Sequence, residues 1–184
     1  SITDPVTIDG TTQPGDDRVR IVLDGRSAGA GHGLHVTAGF SRIRGLAIGG
    51  FPGHQLFVEG SGQNIIDGNH LGVSASGDAA APGGFSGLAI VDSRENTIGG
   101  INALARNVVS GNAFHGIVTS GAASVGNVIS ANLIGTNALG TAAIPNRLNG
   151  IWIQQSPGTV IGGTSVAAGN LVSGNGASGI LVNG

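Results

Sequence analysis

Ten carboxylates are the chain's candidates for acid–base work on a sugar polymer: Asp4, Asp9, Asp16, Asp17, Asp24, Glu59, Asp67, Asp78, Asp92 and Glu95. Glycosidic hydrolysis needs two of them flanking the bond, one to protonate the leaving oxygen and one to attack or to activate water. From Asn96 to Gly184 there is none, so neither such a pair nor an acidic Ca²⁺ cluster can lie in the C-terminal half. The histidines, His32, His35, His54, His70 and His115, form no i, i+2 or i, i+4 pattern with carboxylates. No metal site and no cofactor is expected from them. Cysteine is absent, which removes thiolate nucleophiles, Cys-ligated zinc and disulfides. Glycine-rich tripeptides abound, but none opens a helix, so no phosphate cradle is indicated. The densest group of reactive types is N-terminal: Asp16-Asp17, Gly31-His32-Gly33 and Arg42-Ile43-Arg44. β-Elimination would ask for a base beside a charge-neutralising cation. Arg26, Arg42 or Arg44 could be the base, yet no compact carboxylate group accompanies them.

The elements that position these residues follow from composition and periodicity. Of 184 residues 36 are glycine, about a fifth where roughly 7% is usual. Hydrophobic residues still make up 40%, too many for a disordered linker. Only 10% are charged and lysine is missing altogether, so the charged surface of a helical bundle cannot be built. A net charge of -2 gives no footprint for nucleic acid or an anionic membrane. No apolar run approaches the length of a membrane span. The chain opens without methionine on Ser1-Ile2-Thr3-Asp4, and a piece of a longer protein is the expectation.

Shifted by 63 residues, Ser61–Gly121 falls on Ser124–Gly184 without a gap, with 25 of 61 aligned pairs identical. Asn107-Val108-Val109-Ser110-Gly111-Asn112 meets Asn170-Leu171-Val172-Ser173-Gly174-Asn175. Within this unit lie three apolar columns. The first opens short strands at Leu34, Leu56, Leu88, Ile117, Ile151 and Ile180. The second is Ile43, Ile66, Ile98, Ile129 and Ile161, and the third is Ile48, Leu71, Val109, Ile134 and Val172. Each coil is a core of about 22 residues, and alternate coils carry a nine- or a six-residue insert. Ala75–Phe85 and Ala138–Leu148 should leave one corner, Ile101–Arg106 and Thr164–Gly169 another.

Three short strands per coil, bounded by Gly or Asn, predict an all-β, single-stranded parallel β-helix, a solenoid. Corners need positive φ, which Gly accepts and Asn tolerates, and Asn at matching corners, as at Asn112 and Asn175, can also bond neighbouring backbone. Coils at about 4.8 Å each predict a rod of roughly 30 Å. The expected organisation is one β-helix domain over 1–184, with a partial coil over 1–33 and regular coils over 34–184.

The phrases Ile134-Gly135-Thr136-Asn137, Ile161-Gly162-Gly163-Thr164 and Asn170 to Ile180 resemble the right-handed parallel β-helix repeats of large secreted and surface proteins of bacteria, within the pectin-lyase-like superfamily. The resemblance covers nearly the whole chain from Val6. It implies a right-handed solenoid and an extracellular or cell-surface location. That superfamily holds enzymes beside scaffolds, so fold alone does not choose between them. Asp16, Asp17, His32, Arg42 and Arg44 are similar to polygalacturonase motifs, in which aspartates are acid and base and a basic pair holds the uronate. The preceding Asn-Thr-Asp motif is missing, and Arg42 follows His32 by half a coil, where residues of one face should be a coil apart. A corner Asp pair and a turn at Gly31–Gly33 fit better. A Tyr/His site like that of alginate epimerases is excluded by the missing tyrosine.

One row resists a purely structural account. The outward residue of each first-column strand is His35, Phe57, Ala89, Val118, Trp152 and Leu181. A solvated face would carry Thr, Ser, Asn or Lys there, and an apolar row implies a cover. The cover is the chain's own inserts, a second copy of the chain, or a sugar polymer on the aromatic rings. The candidate interface residues are therefore His35, Phe57, Val118, Trp152 and Leu181. The sequence reads as a non-catalytic scaffold or adhesion module, with a uronate lyase or polygalacturonase-like hydrolase as the alternative. Its expected partners are another copy, end to end or side by side, or a polysaccharide, without nucleic acid or membrane insertion.

Overall fold

The computed structural model describes residues 1–13 and 21–184. The chain winds through three sheets in turn, each of six strands and each parallel throughout. The first sheet contains Leu34–Val36, Leu56–Glu59, Leu88–Val91, Ile117–Ser120, Ile151–Gln154 and Ile180–Asn183. The second contains Thr7–Asp9, Arg42–Arg44, Ile65–Asp67, Thr97–Gly99, Val128–Ser130 and Val160–Ile161. The third contains Ile21–Asp24, Leu46–Gly49, His70–Leu71, Val108–Val109, Leu133–Ile134 and Leu171–Val172. Helical structure among the described residues is limited to three single 3-10 turns, at Gly10–Thr12, Ala103–Ala105 and Val166–Ala168. This is a parallel β-helix.

Register follows the three columns. Leu56 pairs with Leu34 and Leu88, and Ile151 with Ile117 and Ile180. Ile98 pairs with Ile66 and Ile129, and Val109 with Leu71 and Ile134. The columns line one continuous apolar core in which Leu56, Ile98, Ile129 and Ile134 are fully enclosed. Each such side chain contributes about 1.5–3 kcal/mol. Ile8 and Leu23 extend the second and third columns by one strand, pairing with Ile43 and Ile48. The partial coil thus already carries two of the three sheets.

Asparagine does something other than tolerate a strained corner. No asparagine among the described residues has positive φ; that conformation falls to glycines and to Phe40, Gln63, Asp92, Glu95, Ala131 and Gln155. The asparagines instead stack in buried ladders. Asn107 Oδ1 accepts both the backbone N–H and Nδ2 of Asn69, at 2.9 and 3.1 Å. Its own Nδ2 donates to Ile66 O and to Asn132 Oδ1, at 2.8 and 2.9 Å. All four hydrogen-bonding positions of the amide are filled. Asn132 repeats the pattern with Asn170. A second ladder runs Asn64, Asn96, Asn127, and a third Asn112, Asn146, Asn175.

Glycine before a first-sheet strand also has a reason other than φ. A Cβ on Gly116 would stand 2.6 Å from Gly150 O of the next coil, and one on Gly150 2.6 Å from Gly179 O. At these two corners the coils approach too closely for a side chain, whereas Gln55 fills the same place before Leu56 with a buried amide.

The inserts project as equal pairs. Antiparallel bridges Val73–Ala80 and Thr136–Ala143 start the two large ones, and Ala138 N–H donates to Gly77 O at 2.8 Å between them. They close over the third sheet, where Val73, Val108, Leu133 and Ile144 form a second apolar cluster. The small inserts match likewise: Ala105 O accepts from Gly68 N–H and Ala168 O from Ala131 N–H, at 3.1 and 2.9 Å.

Replacing Asn107 by Leu leaves the Asn69 donors and the Ile66 carbonyl buried without partners, each costing about 1–3 kcal/mol. The expected loss in urea denaturation is about 3 kcal/mol or more. Ile129→Asp places an unpaired charge in the dry core and is expected to abolish the cooperative unfolding transition altogether.

Candidate functional site

Strand alternation turns two rows of the first sheet outward. One is His35, Phe57, Ala89, Val118, Trp152 and Leu181, paired in register from coil to coil. The other is Glu59, Val91, Ser120, Gln154 and Asn183, paired the same way. The residue two before each strand forms a corner column beside them: His32, His54, Ser86, His115, Asn149 and Ser178.

That column is a side-chain-to-backbone ladder in which imidazole replaces amide. Asn149 Oδ1 accepts the backbone N–H of Ser178 at 3.0 Å, and Ser86 Oγ that of His115 at 3.3 Å. His32 Nδ1 accepts from His54 N–H at 3.0 Å, and His115 Nδ1 from Asn149 N–H at 3.3 Å. An imidazole nitrogen that accepts carries no proton, so both rings are neutral with the proton on Nε2.

The corner column brings its rings against the outward row. His32 and His54 stack at 5.3 Å and 10°. Phe57 lies 4.6 Å from His32, 4.9 Å from His35 and 5.5 Å from His54. The series continues from His54 to Phe85 at 5.4 Å, to Phe114 at 5.2 Å, to His115 at 6.5 Å and to Trp152 at 4.9 Å. Rings therefore run unbroken across five coils, about 19 Å at 4.8 Å per coil. Ala89 and Val118 are buried within the row, whereas Phe85 and Phe114 remain 47% and 41% exposed. The large inserts cover the third sheet and leave this stripe partly open.

Of the residues expected to form an interface, His35, Phe57, Val118, Trp152 and Leu181 all lie in the first row. Phe85, Phe114, His54 and His115 complete the stripe and escaped the sequence reading. Their signal was positional: each stands two or three residues before a first-column strand. His32 belongs to the stripe as well. Asp16 and Asp17 lie outside the described residues. Arg42 and Arg44 sit on the second sheet, apart from His32. Arg42 Nε and Nη2 hold the two Asp67 oxygens at 3.1 and 2.8 Å. Arg44 Nε is buried without a hydrogen bond, 3.8 Å from Asp67 and 3.9 Å from Asp9. Both arginines thus face carboxylates of neighbouring coils. The one carboxylate in the outward rows, Glu59, is held by His35 Nε2 at 2.8 Å.

No group of three or more metal-ligating side chains is assembled among the described residues, and none of their helices is long and apolar enough to cross a membrane. Compared with known protein families, curated proteins and solved structures, the chain matches none of them.

His32, His54 and His115 resist protonation. Burial, aided by the neighbouring His32, pushes His54 down to about 4. Burial also lowers His32, with His35 adding to the effect, and burial alone lowers His115. An unfolded chain takes up these protons near pH 6.5 while the fold refuses them. The stability they contribute is full above about 6.5 and declines as pH falls toward 4. Thermal midpoints measured from pH 7.5 to 4 should fall, and His54→Asn, the residue type of the same column at Asn149, should flatten the decline.

Proposed function

We propose that this chain is a non-catalytic scaffold of a secreted or surface-displayed protein, and that its first sheet binds a polysaccharide. The observation that carries the reading is the unbroken series of ring contacts from His32 to Trp152, on a face the inserts leave partly open. Sugar rings present apolar C–H faces that stack on aromatic rings, with hydroxyls at the rim for polar neighbours. A solenoid repeats such a platform at every coil, so weak contacts add along an extended ligand.

Binding without turnover is supported by where the carboxylates are spent. Glu59 is tied to His35, Asp67 to Arg42 and Asp24 to Arg26. The extracellular setting rests on the resemblance to secreted β-helix repeat proteins.

Trp152 is the sole tryptophan and there is no tyrosine, so intrinsic emission reports on the stripe directly. Titration with a panel of soluble polysaccharides, neutral and acidic, should shift or quench that emission saturably. Phe57→Ala should weaken the titration about tenfold, the equivalent of roughly 1.4 kcal/mol. Emission unmoved by every polymer, together with self-association in sedimentation, would assign the face to a second copy of the chain instead.

A further inference from the structure

Beside the ring stripe runs the second outward row, and its chemistry narrows the ligand. Ser120, Gln154 and Asn183 stand in register on consecutive coils, on the same strands as Val118, Trp152 and Leu181. They offer hydroxyl and amide groups, both donors and acceptors, without formal charge. Ser120 and Gln154 are half-buried and Asn183 is exposed.

Charge is scarce along the face. Glu59 is the single charged residue of the two outward rows, and His35 engages it. Arg147 is exposed near the Phe114 end, where Leu148 N–H bonds Phe114 O at 2.8 Å. Arg42 is committed to Asp67 on another sheet, and Arg26 to Asp24. The corner imidazoles of His32 and His115 accept backbone N–H groups and are neutral in that state. A uronate polymer brings one carboxylate per sugar, and neither outward row holds an arginine to meet it. Each carboxylate set on those rows would lose hydration without a partner.

Resting on the glycan-binding reading above, we infer that the ligand is an extended, uncharged polysaccharide lying along the solenoid axis, its sugars stacked on the rings and its hydroxyls bonded by the Ser120–Gln154–Asn183 row. The coil repeat of about 4.8 Å is close to the length of one sugar in an extended chain. Successive sugars therefore meet successive coils; on the coils of Ser120 and Gln154 a sugar finds both a ring, Phe114–His115 or Trp152, and a neutral polar group, and on the earlier coils it finds rings alone.

Affinity electrophoresis at pH 7.5 in gels containing hydroxyethylcellulose, arabinoxylan, galactomannan, polygalacturonate or alginate tests this. The expected result is retardation by at least one neutral polymer and none by the two uronates. Gln154→Ala should weaken that retardation about fivefold while leaving the thermal midpoint in place. Trp152→Ala should weaken it as well. Retardation by the uronates alone, or equally by both classes, would overturn the inference and leave a glycan-binding face standing. Retardation by none of the five overturns it together with the reading it rests on. A Gln154→Ala variant that binds as the parent does removes the polar row from the site.

Discussion

A solenoid coil must turn three times around a dry centre, and at every turn backbone N–H groups point where water cannot reach. The buried asparagine ladders answer that demand. At Asn107 the Oδ1 takes two donors from the preceding coil, and the Nδ2 gives one hydrogen bond back to that coil and one forward. An unmet donor in such a place costs about as much as a lost hydrogen bond. Corner position is therefore fixed to within hydrogen-bond tolerance from coil to coil. The strands between corners inherit their register from it, and the apolar columns fall into line. The outward rows, and with them the ring stripe, are a consequence of the same alignment.

The histidine column shows how a corner device becomes a surface feature. His32 and His115 accept backbone N–H groups through Nδ1 as Asn149 does through Oδ1. An amide would end there. An imidazole adds a flat apolar ring on the outer side, and Phe57 and Trp152 pack against it. At His32 and His115 the corner that closes the backbone also widens the aromatic face by one ring. His54 lacks this compensation: its Nδ1 is buried without a partner, and burial holds its ring neutral well into acid.

Most of the architecture was legible in the chain because burial repeats. Leu56, Leu88, Ile117 and Ile151 recur with enough regularity that the inserts can be subtracted by eye. A partial coil over 1–33 was readable, but not its strands, since Thr7–Asp9 and Ile21–Asp24 are separated by a stretch that matches no later coil. Corner asparagines that bond neighbouring backbone were readable from the repeat, as at Asn112 and Asn175, but their amide-to-amide stacking was not. Composition links asparagine to turns, whereas a ladder becomes apparent only when successive coils are superimposed in space. The stripe was half readable. Phe57 and Trp152 announce themselves by alternation, whereas Phe85 and Phe114 belong to connections that follow no such rule. Arg42-Ile43-Arg44 resembles a catalytic motif in residue type while its half-coil distance from His32 argues against one, and the contact with Asp67 shows how two coils use the arginines.

The bond from Ala138 to Gly77 joins two large inserts across an intervening coil that has none. The natural module is then not the coil but the pair. A lineage that duplicated or deleted one coil would set unlike inserts side by side and strip the cover from Val108 and Leu133. Change by two coils keeps every insert opposite its like. Such a rod lengthens or shortens in quanta of 63 residues, about 9.6 Å at a time, and its gene is expected to carry that step as its period of recombination.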